Sequence, residues 1–159
     1  MSVEAILKTL VADGRKLIFA ESITGGLLAD AFISVAGASE VVLGSEVTYA
    51  SELKIALLGV DETVLGEKGA VSAEVATQMA IGVCAVGQGS LELDPGDVIA
   101  LSTTGNAGPD GNPVGQIFIA LYDGKKTKVR ELTLSGTRNE IRHQTVQSAI
   151  SLLREHLGL

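Results

Sequence analysis

Strand-like and helix-like segments alternate along this chain, and that order predicts an α/β protein: a three-layer α/β/α sandwich around a mixed five-stranded sheet. Three observations carry the prediction. Short apolar runs at 16–20 and 97–102 read as buried strands. Amphipathic stretches with helical spacing flank them. An Asp123-Gly124 turn between two further strand-like runs makes at least one strand antiparallel. With 159 residues, no internal repeat and no linker, positions 1–159 form one domain.

The elements follow in order. Val3, Ile6, Leu7, Leu10 and Val11 share a helical face that Gly14 ends. After the first strand, a helix begins near Thr24 with Leu27, Leu28, Ala31, Phe32 and Val35 on one face. Residues 41–49 are rich in β-formers, and Ser51–Leu58 reads as a short helix closed by Gly59. Asp61 caps another short helix, and Ser72 caps a long one to about Val86. The second apolar strand leads into a Gly/Pro/Asn loop at 103–115, then a strand at Gln116–Tyr122 and a half-exposed strand at 128–134. Thr137 and Glu140 form a capping box that opens the last helix. The count is five strands and about four main helices.

Hydrophobic residues make up 46% of the chain, charged residues 19% and aromatics 3%, so the core is aliphatic and rich in small residues. A net charge of −7 and the lack of any basic run exclude a nucleic-acid surface, but they leave room for a small phosphorylated ligand. Cys84 is the single cysteine, so no intramolecular disulfide forms. The N-terminal stretch lacks a signal-peptide core and no apolar run reaches membrane-span length. A cytoplasmic protein without a membrane partner is expected.

Four segments carry candidate chemistry. In AESITGG (20–26), Ser22 follows a buried strand, where open α/β sheets place ligands. Thr24, Gly25 and Gly26 would offer backbone N–H groups to an oxyanion or phosphate. The plainer reading makes Ser22 or Thr24 an N-cap. Tyr49 and Lys54 follow on the next strand and helix. A serine needs a base, and a lysine neutralised by burial supplies one, with a tyrosine hydroxyl relaying the proton. The plainer reading is a surface lysine.

Thr104, Gly105, Gly108, Asp110 and Gly111 sit in the long loop, whose turn-former density suits a pocket lining or, alternatively, a surface crossover. Arg138, with Arg142 a turn later, lies in the first turn of the last helix, where a cation opposes the macrodipole unless it serves a phosphate. A solvated arginine is the alternative. His143 and His156 lie 13 residues apart with no ligand cluster, which argues against a metal and against a Ser-His-Asp triad. Cys84 reads as a core thiol.

Taken together, AESITGG, VTYASELK, GAVS, TTGNAGPDG, PVG and GTRNEIRHQ resemble the CinA carboxy-terminal domain family, from about Phe19 to the last helix. Characterised members of that family are nicotinamide-nucleotide amidohydrolases. The resemblance implies a three-layer domain with a five-stranded mixed sheet, no cofactor, and conversion of nicotinamide mononucleotide to nicotinic acid mononucleotide and ammonia. It places the family's serine, tyrosine and lysine of a Ser/Lys-type amidohydrolase on Ser22, Tyr49 and Lys54. The family's cysteine after the serine is Ile23 here, which implies altered packing. The larger pyrophosphatase-like domain of many relatives has no counterpart in the sequence, so a stand-alone form is expected.

Two other readings remain: a nucleotide-binding module with a silent site, and an amidase for a different carboxamide. A domain this small also suits a homodimer, although no apolar stripe marks an interface.

Overall fold

The structure, a computed structural model, describes residues 2–111 and 113–159. In chain order the elements are α1 (Val3–Asp13), β1 (Lys16–Glu21), α2 (Leu27–Ile33), a 3-10 turn (Ala38–Glu40), β2 (Val42–Val47) and α3 (Ser51–Leu58). They continue with α4 (Glu62–Lys68), α5 (Ala73–Leu91), β3 (Val98–Gly105), β4 (Gln116–Tyr122), β5 (Thr127–Thr133) and α6 (Arg138–Leu157). The five strands form one sheet in the order β2-β1-β3-β4-β5. β1 is parallel to β2 and β3, while β4 and β5 are antiparallel to their neighbours, so the sheet is mixed as expected.

Alternation along the strands divides the core into two halves. Leu17, Phe19, Ile99, Leu101, Ile117, Ile119 and Leu121 project to the side covered by α1, α2 and α6. Phe19 meets Phe32 of α2 with ring centroids 5.2 Å apart, a tilted pair that adds on the order of 1 kcal/mol beyond its burial. Ile18, Ala20, Val98, Ala100, Phe118 and Ala120 project to the other side, against Val75, Ala76, Met79, Ala80 and Val83 of α5. Ala20, Ala100 and Ala120 are small, which lets the long helix lie close to the sheet.

The chain leaves β1 through α2 to β2 on one side. It then returns through α3, α4 and α5 to β3 on the far side of β1. The strand order therefore reverses between β1 and β3, and the crevice at their carboxyl ends is where such sheets bind ligands.

α5 runs to Leu91, past the expected end near Val86, and two boundaries beside the site also differ from the sequence expectation. α2 starts at Leu27 and not near Thr24, because Gly25 N–H closes a turn onto Ser22 and Leu27 N–H closes another onto Thr24. Gly25 and Gly26 have φ of 57° and 103°, and the second value in particular suits glycine. β3 extends to Gly105, since Thr104 and Gly105 pair with Phe118 and Ile117 of β4. The long loop therefore spans 106–115, and of the 103–115 stretch Asn112 lies outside the described residues.

Candidate active site

The β1 pleat separates two adjacent polar residues at its carboxyl end. Glu21 faces α2 and Ser22 faces α3. Ser22 N–H still pairs with Thr103 O at 3.0 Å, so the ladder holds the serine's backbone. Thr48 N–H donates to Glu21 O at 3.0 Å, which fixes the approach to α3 in the same way.

Lys54 on α3 is 1% exposed, and its Nζ lies 3.1 Å from Ser22 Oγ. Nζ also donates to Thr48 O at 2.7 Å and to Tyr49 O at 3.1 Å. Burial pushes the lysine below its ordinary value of 10.5 by desolvating the ammonium. A neutral amine has two N–H bonds and one lone pair. The two carbonyls accept the N–H bonds, so the lone pair is left for the Ser22 hydroxyl proton. Ser22 itself is 8% exposed.

Tyr49 enters this arrangement differently from the expectation. Its main-chain carbonyl, not its hydroxyl, meets Lys54. The side chain is 65% exposed, and Oη accepts a bond from Arg138 Nη2 at 3.1 Å. The hydroxyl makes no hydrogen bond to Ser22 or Lys54, because the chain turns at 48–50 and sends the ring outward. Arg138 also donates to Gly108 O. Tyr49 and Arg138 thus line one cleft of 220 Å³ with Ile23, Val71, Gly105, Asn106 and Ala107.

The other expected binding residues divide. The Thr24 side chain is fully buried, and its Oγ1 donates to Glu21 Oε2 at 2.6 Å, so it anchors the turn. Gly26 N–H is taken by Glu21 Oε2 and Gly25 N–H by Ser22 O, so neither is free for an oxyanion. The N–H groups of Ile23 and Thr24 have no partner among the described residues. Thr104 Oγ1 donates to Ala70 O and so holds the strap bearing Val71 beside the cleft. Gly108 is buried, and its N–H bonds Asn106 Oδ1. Asp110 and Gly111 are exposed and outside the cleft lining, since the loop carries them past its rim.

Sequence reasoning missed Glu21. Its carboxylate accepts from Thr24 Oγ1, Ser45 Oγ and the N–H groups of Gly26, Leu28 and Ala29. It fills the start of α2, the place where the sequence suggested a phosphate. The available signal was a charged residue ending an apolar strand, since a buried carboxylate must be paired or hydrogen-bonded.

A larger hollow of 500 Å³ lies between α1 and the segment that follows α2, away from Ser22 and Lys54, whereas Ile23 and Tyr49, chain neighbours of Ser22 and Thr48, line the smaller cleft. Among the described residues no three His, Cys, Asp or Glu side chains gather as a metal set. No described helix is long and apolar enough to cross a membrane.

The comparisons agree with this architecture. The model of the CinA C-terminal domain matches residues 2–157. A CinA-like protein of Syntrophomonas wolfei is 41% identical over 152 residues, covering 93% of this chain and 35% of its own length. A competence-damage inducible protein of Clostridium botulinum is 42% identical over 158 residues, covering 97% of this chain and 37% of its own. The chain thus spans little more than a third of the length of these relatives.

Among solved structures, competence/damage inducible protein CihA of Agrobacterium tumefaciens superposes with a TM-score of 0.87 at 33% identity, covering 99% of this chain and 93% of that one. Competence damage-inducible protein A of Klebsiella pneumoniae gives 0.89 at 28% identity, covering 98% and 94%. The chain belongs to the CinA C-terminal domain family.

Proposed function

We propose that this domain hydrolyses the carboxamide of nicotinamide mononucleotide, releasing nicotinic acid mononucleotide and ammonia. The observation that carries the reading is the buried Lys54 amine 3.1 Å from Ser22 Oγ, with two carbonyls on its N–H bonds. Neutral Lys54 takes the Ser22 proton as Oγ attacks the carboxamide carbon. The Ile23 and Thr24 N–H groups receive the oxyanion. The Lys54 ammonium then protonates the departing nitrogen, the C–N bond breaks and ammonia leaves. A water, deprotonated by Lys54, attacks the Ser22 ester; the C–Oγ bond breaks, the Lys54 ammonium returns the proton to Ser22 Oγ, and the acid leaves.

The cleft beside Ser22 and Lys54 supports this substrate class. Ile23, Val71 and Ala107 give it aliphatic walls that suit a flat ring. Arg138 stands at the cleft without a carboxylate within ion-pair distance among the described residues. In a chain of net charge −7, a guanidinium at the cleft whose partners are a carbonyl and a hydroxyl keeps its charge uncompensated and suits the substrate's phosphate. The domain needs no metal for this chemistry. The product returns to pyridine-nucleotide salvage in the cytoplasm.

The test is ammonia release from nicotinamide mononucleotide without added metal, for wild type, Ser22→Ala and Lys54→Ala. Activity that both substitutions abolish supports the scheme. A wild type inert on this nucleotide but active on another amide moves the substrate and keeps the mechanism. Binding of the nucleotide without turnover of any amide favours a regulatory module.

A further inference from the structure

Arg142 lies one turn beyond Arg138 on α6, but it does not line the cleft. Its Nε donates to Ile23 O at 2.9 Å and its Nη2 to Thr24 O at 3.1 Å. Nη1 donates to Asn139 Oδ1 at 3.1 Å. No carboxylate lies within ion-pair distance among the described residues, so this cation is directed at main-chain oxygens. A Cβ on Gly25 would sit 3.2 Å from Nη2, so glycine there leaves the guanidinium its place.

The geometry has a consequence for the oxyanion donors. The peptides of the turn are trans, so each C=O points opposite to the N–H that follows it. Holding Ile23 O toward Arg142 turns Thr24 N–H the other way, and that N–H is unpartnered. Holding Thr24 O likewise turns Gly25 N–H inward to Ser22 O, which closes the turn and leaves Ile23 N–H open. The guanidinium also keeps its positive charge beside the residues that receive the negative charge of a tetrahedral intermediate.

We propose that Arg142 is a positioning residue that presets the Ile23 and Thr24 N–H groups as the oxyanion site of Ser22, an inference resting on the hydrolytic reading above. Arg142 touches no substrate. It acts through the turn.

The experiment measures two rates on the full chain. One is labelling of Ser22 by an alkyl fluorophosphonate, whose phosphoryl oxygen needs the same donors and which requires no natural substrate. The other is ammonia release, as kcat and KM across pH. For Arg142→Ala, labelling and kcat fall about 100-fold, the usual scale for a lost oxyanion donor. KM and the midpoint of the rising pH limb stay near wild type, and millimolar methylguanidinium restores part of the loss in a saturable way. Arg142→Lys falls nearly as far, because a flexible ammonium lacks the rigid planar fork by which Nε and Nη2 fix the Ile23 and Thr24 carbonyls separately. Asn139→Ala stays close to wild type.

Wild-type labelling of Arg142→Ala overturns the proposal, and so does full labelling of Arg142→Lys, which carries the test where the alanine variant does not fold. A loss that methylguanidinium leaves untouched also overturns it. A wild type that labels at Ser22 but leaves the nucleotide intact refutes the substrate alone. A wild type that does not label at all refutes both.

Discussion

Lys54 is a buried amine whose polar partners are two carbonyls and a hydroxyl, and this governs its pH behaviour. In the proposed mechanism its neutral form is the base, so kcat/KM should rise with pH along a single limb whose midpoint lies below 10.5. A pH–rate profile checks this, and activity constant or falling over that range contradicts the role. Stability follows the same proton. The folded chain binds it less tightly than the unfolded chain, so the group's contribution is lowest below the folded value and grows as pH climbs toward 10.5. Urea unfolding of wild type and Lys54→Met from neutral pH upward should show wild type gaining on the variant. A constant difference would contradict a depressed lysine. Glu21 works beside it through structure. Glu21→Gln keeps one acceptor oxygen for five donors and should lower unfolding free energy by about 3 kcal/mol.

At the scale of elements, two short devices aim the site. The turn after β1 needs Gly26 at φ 103°, so Gly26→Ala should cost about 1–3 kcal/mol and reduce activity, measured by unfolding and turnover. The start of α6 is set by the capping box, with Thr137 Oγ1 bonded by Glu140 N–H and Thr137 N–H donating to Glu140. The bond from Thr137 N–H holds the Glu140 carboxyl below its ordinary value. Thr137→Ala should cost about 1 kcal/mol by urea unfolding. Activity should fall more than that loss implies, because Arg138 and Arg142 occupy the first turns of the same helix.

In the whole molecule, the site depends on the spacing of layers that do not touch the cleft. Gly82 on α5 lies against the end of α3, and a Cβ there would come 1.9 Å from Leu58 O and 2.8 Å from Leu58 C. Main chain would have to move. Gly82→Ala should therefore displace α3, lower stability by about 1–3 kcal/mol and depress ammonia release through Lys54. Retained turnover would show that α3 is not held by that contact.

The elements were legible because their signals are local. The period of the apolar residues, Gly14 and Gly59 after their helices, Ser72 and the Thr137–Glu140 box each act within a few residues. Ser22 and Lys54 were legible as residue types, 32 positions apart. What the chain order could not express is which partner each polar group finds. Thr104 and Gly105 read as loop until β4 paired with them. The start of α2 read as an anion site until Glu21 folded back to fill it, and Tyr49 read as a relay until Arg138, 89 positions away, took its hydroxyl. The sequence by itself determined the strands, helices and caps, since those arise from short-range sterics and periodicity. Only the tertiary structure decided the site's hydrogen bonds, because contacts such as Arg142 to Ile23, 119 positions apart, exist only once the layers have packed.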